Sequence, residues 1–154
     1  YLAKKKINED VVVCYGDIIF DHKIFKLLKK KQNILPVYSN WYSYWKKRMN
    51  KKKLLLDAEN MIIKDKKILS IGGKIEKKIP KYQFAGIIKF RKETFFELYK
   101  YFKKLSVKTD MTTFLDLSIK NKKVKLFAKK FSGFWYEIDS KKDILVAQNS
   151  KYLS

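Results

Sequence analysis

The chain has 154 residues, 46% hydrophobic and 34% charged, which suits one folded core and excludes both intrinsic disorder and two comfortable domains. Its formal charge is +22, almost all of it lysine spread along the chain, with Arg48 and Arg91 the only arginines. Base-edge and planar phosphate recognition favour arginine's bidentate fork, so this charge reads as solvated surface and not as a specific nucleic-acid site.

No apolar run approaches the length that spans a bilayer, and no membrane partner is expected. The basic start Tyr1–Asp10 leads into no signal-peptide stretch, and a lone cysteine, Cys14, excludes a disulfide framework. A cytoplasmic protein is the expectation, with Cys14 read as a small buried hydrophobe inside the first strand.

That strand is Val11-Val12-Val13-Cys14, ending in Tyr15-Gly16-Asp17. Helical spacing follows over Asp21–Lys29, with Asp21 as expected N-cap and His22 on the helix surface. Asn33 to Tyr38 reads as a strand, which Pro36 pushes toward an edge or a strand end. The aromatic and basic segment Trp41 to Arg48 follows; Trp41 and Trp45 stand four apart, as one face of a short helix or as part of a binding site. A hairpin is expected from Glu59–Lys64 and Ile68–Ile71 around Asp65-Lys66-Lys67, then a strand through Tyr82–Phe90 with Gly86 inside it. Gly86 fits either a bulge or a close approach of substrate to the backbone. Amphipathic helices are expected around Phe95–Leu105 and Met111–Ser118, and a strand at Val124–Ala128. The closing unit is a strand from Trp135 to Asp139, with Ser140-Lys141-Lys142-Asp143 as a capping-box start for a helix through Ala147. The pattern is α/β with a central, mixed sheet.

Two carboxylates, Asp17 and Asp139, thus stand at the ends of apolar runs near opposite ends of the chain. Hard Mg²⁺ takes one or two carboxylates and leaves its other positions to water and phosphate, so the pair points to phosphate chemistry. Each also has a structural reading, Asp17 as a turn former and Asp139 as an N-cap.

Six ordered motifs carry a family resemblance: Tyr15-Gly16-Asp17-Ile18-Ile19-Phe20; Trp41, Trp45 and Arg48 with Asp57-Ala58-Glu59; Ser70-Ile71-Gly72 with Lys74; Gln83 to Phe90; Asp110 to Leu115; and Trp135 to Ser140 with Asp143. From about Asp10 to about Ala147 the chain resembles the carboxy-terminal two-thirds of the sugar- and choline-phosphate nucleotidyltransferases, nearest to the phosphocholine or 2-aminoethylphosphonate cytidylyltransferase-like group. The resemblance implies one Rossmann-like three-layer domain over residues 1–154. It implies that Asp17 and Asp139 hold the catalytic Mg²⁺, and that a nucleoside triphosphate, CTP by that likeness, passes its nucleotidyl group to a small phosphorylated acceptor. Trp41, Trp45, Glu59, Gly86, Trp135 and Glu137 are then the candidate acceptor-binding residues, their aromatic faces and carboxylates suiting an ammonium head group. The family's opening glycine-rich loop, Leu-x-Ala-Gly-x-Gly-x-Arg, has no counterpart here, where the first glycine is Gly16. The resemblance therefore implies that the amino-terminal nucleotide-binding part is missing. Two alternatives stand beside it: a sugar-1-phosphate nucleotidyltransferase, and a non-catalytic basic module for nucleic acid or an anionic surface.

Overall fold

A computed structural model describes residues 5–75, 79–105 and 109–150; Tyr1–Lys4, on which the reading of the amino terminus partly rests, lie outside them. In chain order the elements are β1 (Val11–Cys14), β2 (Ile18–Phe20), α1 (Ile24–Leu28), β3 (Ile34–Tyr38), α2 (Trp41–Arg48), α3 (Lys51–Asp57), β4 (Met61–Lys64) and β5 (Lys67–Ile71). They continue as β6 (Gln83–Phe84), β7 (Ile87–Phe90), α4 (Lys92–Lys104), α5 (Met111–Lys120), β8 (Phe127–Phe131), β9 (Trp135–Glu137) and α6 (Lys141–Gln148).

The main sheet runs β1-β7-β3-β8-β5-β4, with β6 also on β3, while β2 and β9 form a separate two-stranded ladder. The β3–β8 pair is parallel and the other pairs of this sheet are antiparallel, so the sheet is mixed as expected. All five residues of β3 are buried because both faces of the sheet are covered. On one face Ile34 and Tyr38 pack with α1, α2, α3 and α6 through Ile24, Trp41, Leu54 and Ala147. On the other, Leu35 and Val37 pack with Leu98 of α4 and Leu115 of α5. The result is a three-layer α/β domain.

Four expectations are corrected. Pro36 lies in the middle of the sheet: on the β6/β7 side the pairing jumps from Ile34–Lys89 to Val37–Phe84, so Leu35 and Pro36 face the Ala85–Gly86 break, where a missing N–H is tolerated. Cys14 is exposed, because β1 is an edge strand whose alternate side chains face solvent. The strand expected at Val124–Ala128 is shifted to Phe127–Phe131, although Val124 and Leu126 remain buried in the core. Asp21 does not cap the helix itself, which starts at Ile24; its carboxylate accepts the Lys23 N–H at 2.9 Å and fixes the preceding turn. Helix α3 was not anticipated in the lysine-rich Lys51–Lys53 stretch, and its N-cap is Asn50, which accepts the Lys53 N–H at 2.9 Å.

Other local signals hold. The β4–β5 hairpin turns on Asp65 and Lys66, both at positive φ, as a two-residue turn between twisted strands requires. Asp143 accepts the Ser140 N–H at 2.8 Å, the reciprocal half of the expected capping box of α6. Gly86 has φ +70°, and a Cβ there would sit 3.2 Å from Tyr15 Cδ2 and 3.3 Å from Ile18 Cδ1. Gly86→Ala is therefore expected to destabilise the fold by about 1–3 kcal/mol. An unchanged urea midpoint would show that the β6–β7 break relaxes without strain.

Candidate active site

Strands β2 and β9 bring the two aspartates together. Ile18 pairs with Glu137, and the Ile138 N–H donates to Asp17 O at 2.8 Å, so Asp17 and Asp139 lie one register step apart at the open end of this ladder. Both are exposed. The Asp17 carboxylate has no hydrogen-bond or ion-pair partner among the described residues, whereas Asp139 gives one oxygen to Arg48. No group of three or more His, Cys, Asp or Glu side chains is arranged around a common metal position among the described residues. Two solvent-facing carboxylates instead form the sparse hard-oxygen donor set that suits Mg²⁺ arriving with phosphate and water, so these residues fit that ion.

Arg48, at the end of α2, fixes this corner. Its side chain is only 2% exposed, and its fork donates from Nε to Asp143 Oδ1 at 2.7 Å, from Nη1 to Glu137 Oε2 at 2.9 Å, and from Nη2 to Asp139. The guanidinium carbon also lies 5.3 Å from the centroid of the Tyr44 ring. Burial opposes the charge on Asp143, but Arg48 and Ser140 outweigh it and hold its carboxyl below the usual range. At Glu137 the balance falls the other way: burial, reinforced by Asp139 and Asp17, raises its pKa despite Arg48. Glu137 links the aspartate pair to an adjoining cavity.

That cavity has a volume of about 250 Å³. Asp57, Glu59, Asp110 and Glu137 line it, Tyr15, Trp45, Phe84 and Met111 supply its apolar wall, and among the described residues no lysine or arginine lines it. Gln83 ties its floor by donating from Nε2 to Glu59 O at 2.7 Å. The Trp45 indole nitrogen is buried without a hydrogen-bond partner among the described residues. Thr112 Oγ1 lies 2.6 Å from Glu59 Oε1 and 2.9 Å from Asp110 Oδ1. One hydroxyl proton cannot serve both carboxylates. Asp110 is held low by hydrogen bonds from the Thr113 N–H and hydroxyl, while burial and then the Asp110 charge push Glu59 up. Protonated Glu59 would close the chain by donating to Thr112; ionised Glu59 leaves the cavity one negative charge in excess.

The sequence-derived acceptor residues therefore divide. Trp45, Glu59, Gly86 and Glu137 line the cavity. Trp41 and Trp135, each 1% exposed, are not among its lining residues and sit in the core, with indole nitrogens donating to Pro80 O at 3.1 Å and Ala85 O at 3.0 Å. Their contribution is to hold α2 and the β6–β7 break in place. Tyr15, Asp110 and Thr112 were not singled out as site residues. Their signal was weak, since Asp110-x-Thr112 also reads as an ordinary helix start, which it is.

No protein-family model matches the chain, and no curated relative matches it by sequence. Solved structures do. The inositol-1-phosphate CTP transferase of T. maritima superposes with a TM-score of 0.66 at 17% identity, over 99% of this chain and 61% of that one. A UDP-glucose pyrophosphorylase from Acinetobacter baumanii gives 0.61 at 11% identity, over 98% and 56%. A nucleoside-diphosphate-sugar pyrophosphorylase from Vibrio cholerae RC9 gives 0.56 at 12%, over 94% and 58%. The chain shares the mixed-sheet α/β fold of these proteins. It spans 56–61% of the length of these three structures. Within this fold, the aspartate pair and the acidic cavity share one corner, joined by Glu137.

Proposed function

We propose that this chain provides the metal and acceptor sites of a Mg²⁺-dependent nucleotidyltransferase that moves a nucleotidyl group, from CTP, onto a small phosphorylated acceptor with a positively charged head, such as phosphocholine or 2-aminoethylphosphonate. The observation that carries this reading is the cavity itself: four carboxylates, aromatic walls and, among the described residues, no basic lining residue, in a chain of net charge +22. Against so basic a background, such a cavity selects a cation, and Tyr15 and Trp45 offer faces that attract an ammonium group. A sugar-1-phosphate acceptor is the second reading, favoured by the likeness to two sugar-nucleotide pyrophosphorylases.

In this scheme an acceptor phosphate oxygen attacks the α-phosphorus and pyrophosphate leaves. That oxygen is already an anion, so no general base is needed and the one histidine, exposed His22, has no part. Asp17 and Asp139 would hold Mg²⁺, which when bound supplies neutralisation of phosphate charge. Arg48 fixes the Asp139 carboxylate, Glu137 and Glu59 grip the cationic head, and the Trp45 and Phe84 walls exclude water around it. The rest of the catalysis is alignment.

Pyrophosphate release from CTP is expected with phosphocholine or 2-aminoethylphosphonate and not with glucose-1-phosphate; preference for the sugar phosphate would transfer the assignment to the second reading. A pH test isolates Glu59. Choline, whose charge is fixed, should bind more tightly as pH rises through the Glu59 pKa, which lies above the ordinary value of 4.5, because only then is the carboxylate ionised. Glu59→Gln should reduce that dependence to the part carried by Glu137, whose pKa is also raised. A wild-type affinity independent of pH across the acidic range would remove Glu59 from the head-group site.

A further inference from the structure

A second concavity, about 530 Å³ in volume, lies at the other end of β3 from the acidic cavity. Gln83, on the cavity floor, pairs with Tyr38 at the end of β3, whereas Lys30 and Lys31 precede its start, about 13 Å away at ~3.3 Å per residue. Four lysines line this basin: Lys30 and Lys31 from the turn before β3, Lys66 from the β4–β5 turn and Lys129 from β8. Asp65 is the one carboxylate among the described residues that line it, and the Phe127 ring, with Lys125 Nζ at 5.4 Å from its centroid, forms part of the wall.

The backbone that carries these lysines is pinned. The Ala128 N–H donates to Lys66 O at 2.8 Å, the Phe127 N–H to Asn33 O at 3.0 Å, and Lys89 Nζ to Lys30 O at 2.8 Å. Three separate chain segments therefore hold ammonium groups around one hollow at a distance set by the fold. Burial, and then the charges of Lys30 and Lys66, push the Lys129 pKa down.

We infer that this basin binds a compact, multiply charged phosphate ligand, either an inorganic polyphosphate or the phosphate chain of a free nucleotide. A small anion of high charge can touch several ammonium groups at once and relieve their mutual repulsion. A nucleic-acid strand would instead need a track of cations along its backbone, and arginine is absent from the basin. The site is separate from the aspartate pair and does not depend on the proposed transfer reaction.

The test is calorimetric titration of the full chain with tripolyphosphate at low salt and without divalent metal. One-site binding is expected, weakened about tenfold or more by Lys66→Gln and by Lys129→Gln, each of which removes a charge-assisted contact. Lys52→Gln, on the exposed face of α3, should leave it unchanged. Matching urea midpoints for the variants separate lost binding from lost fold. Competition by CTP at equal strength would assign the site to the phosphate chain alone, and tighter CTP binding would add the base; both support the basin. Equal weakening by Lys52→Gln would reduce the effect to diffuse net charge and overturn the inference. So would unchanged binding in both basin variants, or a single-stranded oligonucleotide that binds the basin and is not displaced by tripolyphosphate.

Discussion

Replacing Arg48 with methionine is expected to cost about 3–5 kcal/mol of folding stability, the usual consequence of stripping a buried carboxylate of its counter-ion. Asp143 bears most of the loss. Its side chain is 5% exposed and keeps only the Ser140 and Asp139 donors once the guanidinium is gone, whereas Asp139, at 56%, can turn to water. The deficit should shrink as pH falls. In the wild type the Asp143 pKa lies below 3.8, so its stabilising contribution is present above that value and is lost as pH falls through the lowered folded pKa. In the variant only the Ser140 and Asp139 donors still oppose burial at Asp143, so Asp143 and Glu137 both titrate higher, and mild acid neutralises them before the rest of the fold is affected. Arg48→Lys keeps a charge but loses the fork and should recover only part of the difference. Urea unfolding at two pH values measures this; a loss below about 1 kcal/mol would show that water replaces the guanidinium at this corner.

The second large effect concerns metal affinity. Asp17→Asn and Asp139→Asn are each expected to weaken Mn²⁺ binding, read by electron paramagnetic resonance with CTP present, by at least about 10–100-fold, the range found even when only a supporting partner of a ligand is removed. Neither change should cost much stability. The Asp17 contact that holds the ladder comes from its backbone carbonyl, and without the Asp139 charge Arg48 still has Glu137 and Asp143. Undiminished Mn²⁺ binding in both variants would remove the pair from the metal role and leave Asp17 as a turn residue.

Much of this fold is legible locally. Hydrophobic periods place α4, α5 and most strands, and Ser140 to Asp143 marks the start of α6, because those signals depend on neighbours a few residues away. Pro36 misleads because its acceptability depends on a distant break at Ala85–Gly86 that the Pro36 segment cannot reveal. Cys14 misleads for the same reason: whether a strand is central or at the edge is a property of the sheet. At the site, the carboxylates Asp17, Glu59, Glu137 and Asp139 stand out because a charged residue beside an apolar run needs a reason. Trp41 and Trp135 stand out too, yet large aromatics serve the core as readily as a ligand, and only burial tells them from Trp45. The part played by Arg48 is hidden altogether, since its three carboxylate partners lie about ninety residues further along the chain.

In the proposed function the acidic cavity connects these observations: the aspartate pair would mark where phosphate chemistry occurs, and the cavity would decide what the acceptor carries beyond its phosphate. Calorimetric binding of phosphocholine against 3,3-dimethylbutyl phosphate, its neutral isostere with carbon in place of nitrogen, tests that decision directly. The two share shape and phosphate and differ in the cation. The carboxylate-lined cavity predicts at least about tenfold tighter binding of phosphocholine, the equivalent of about 1.4 kcal/mol. Equal affinity, or preference for the neutral compound, would contradict it.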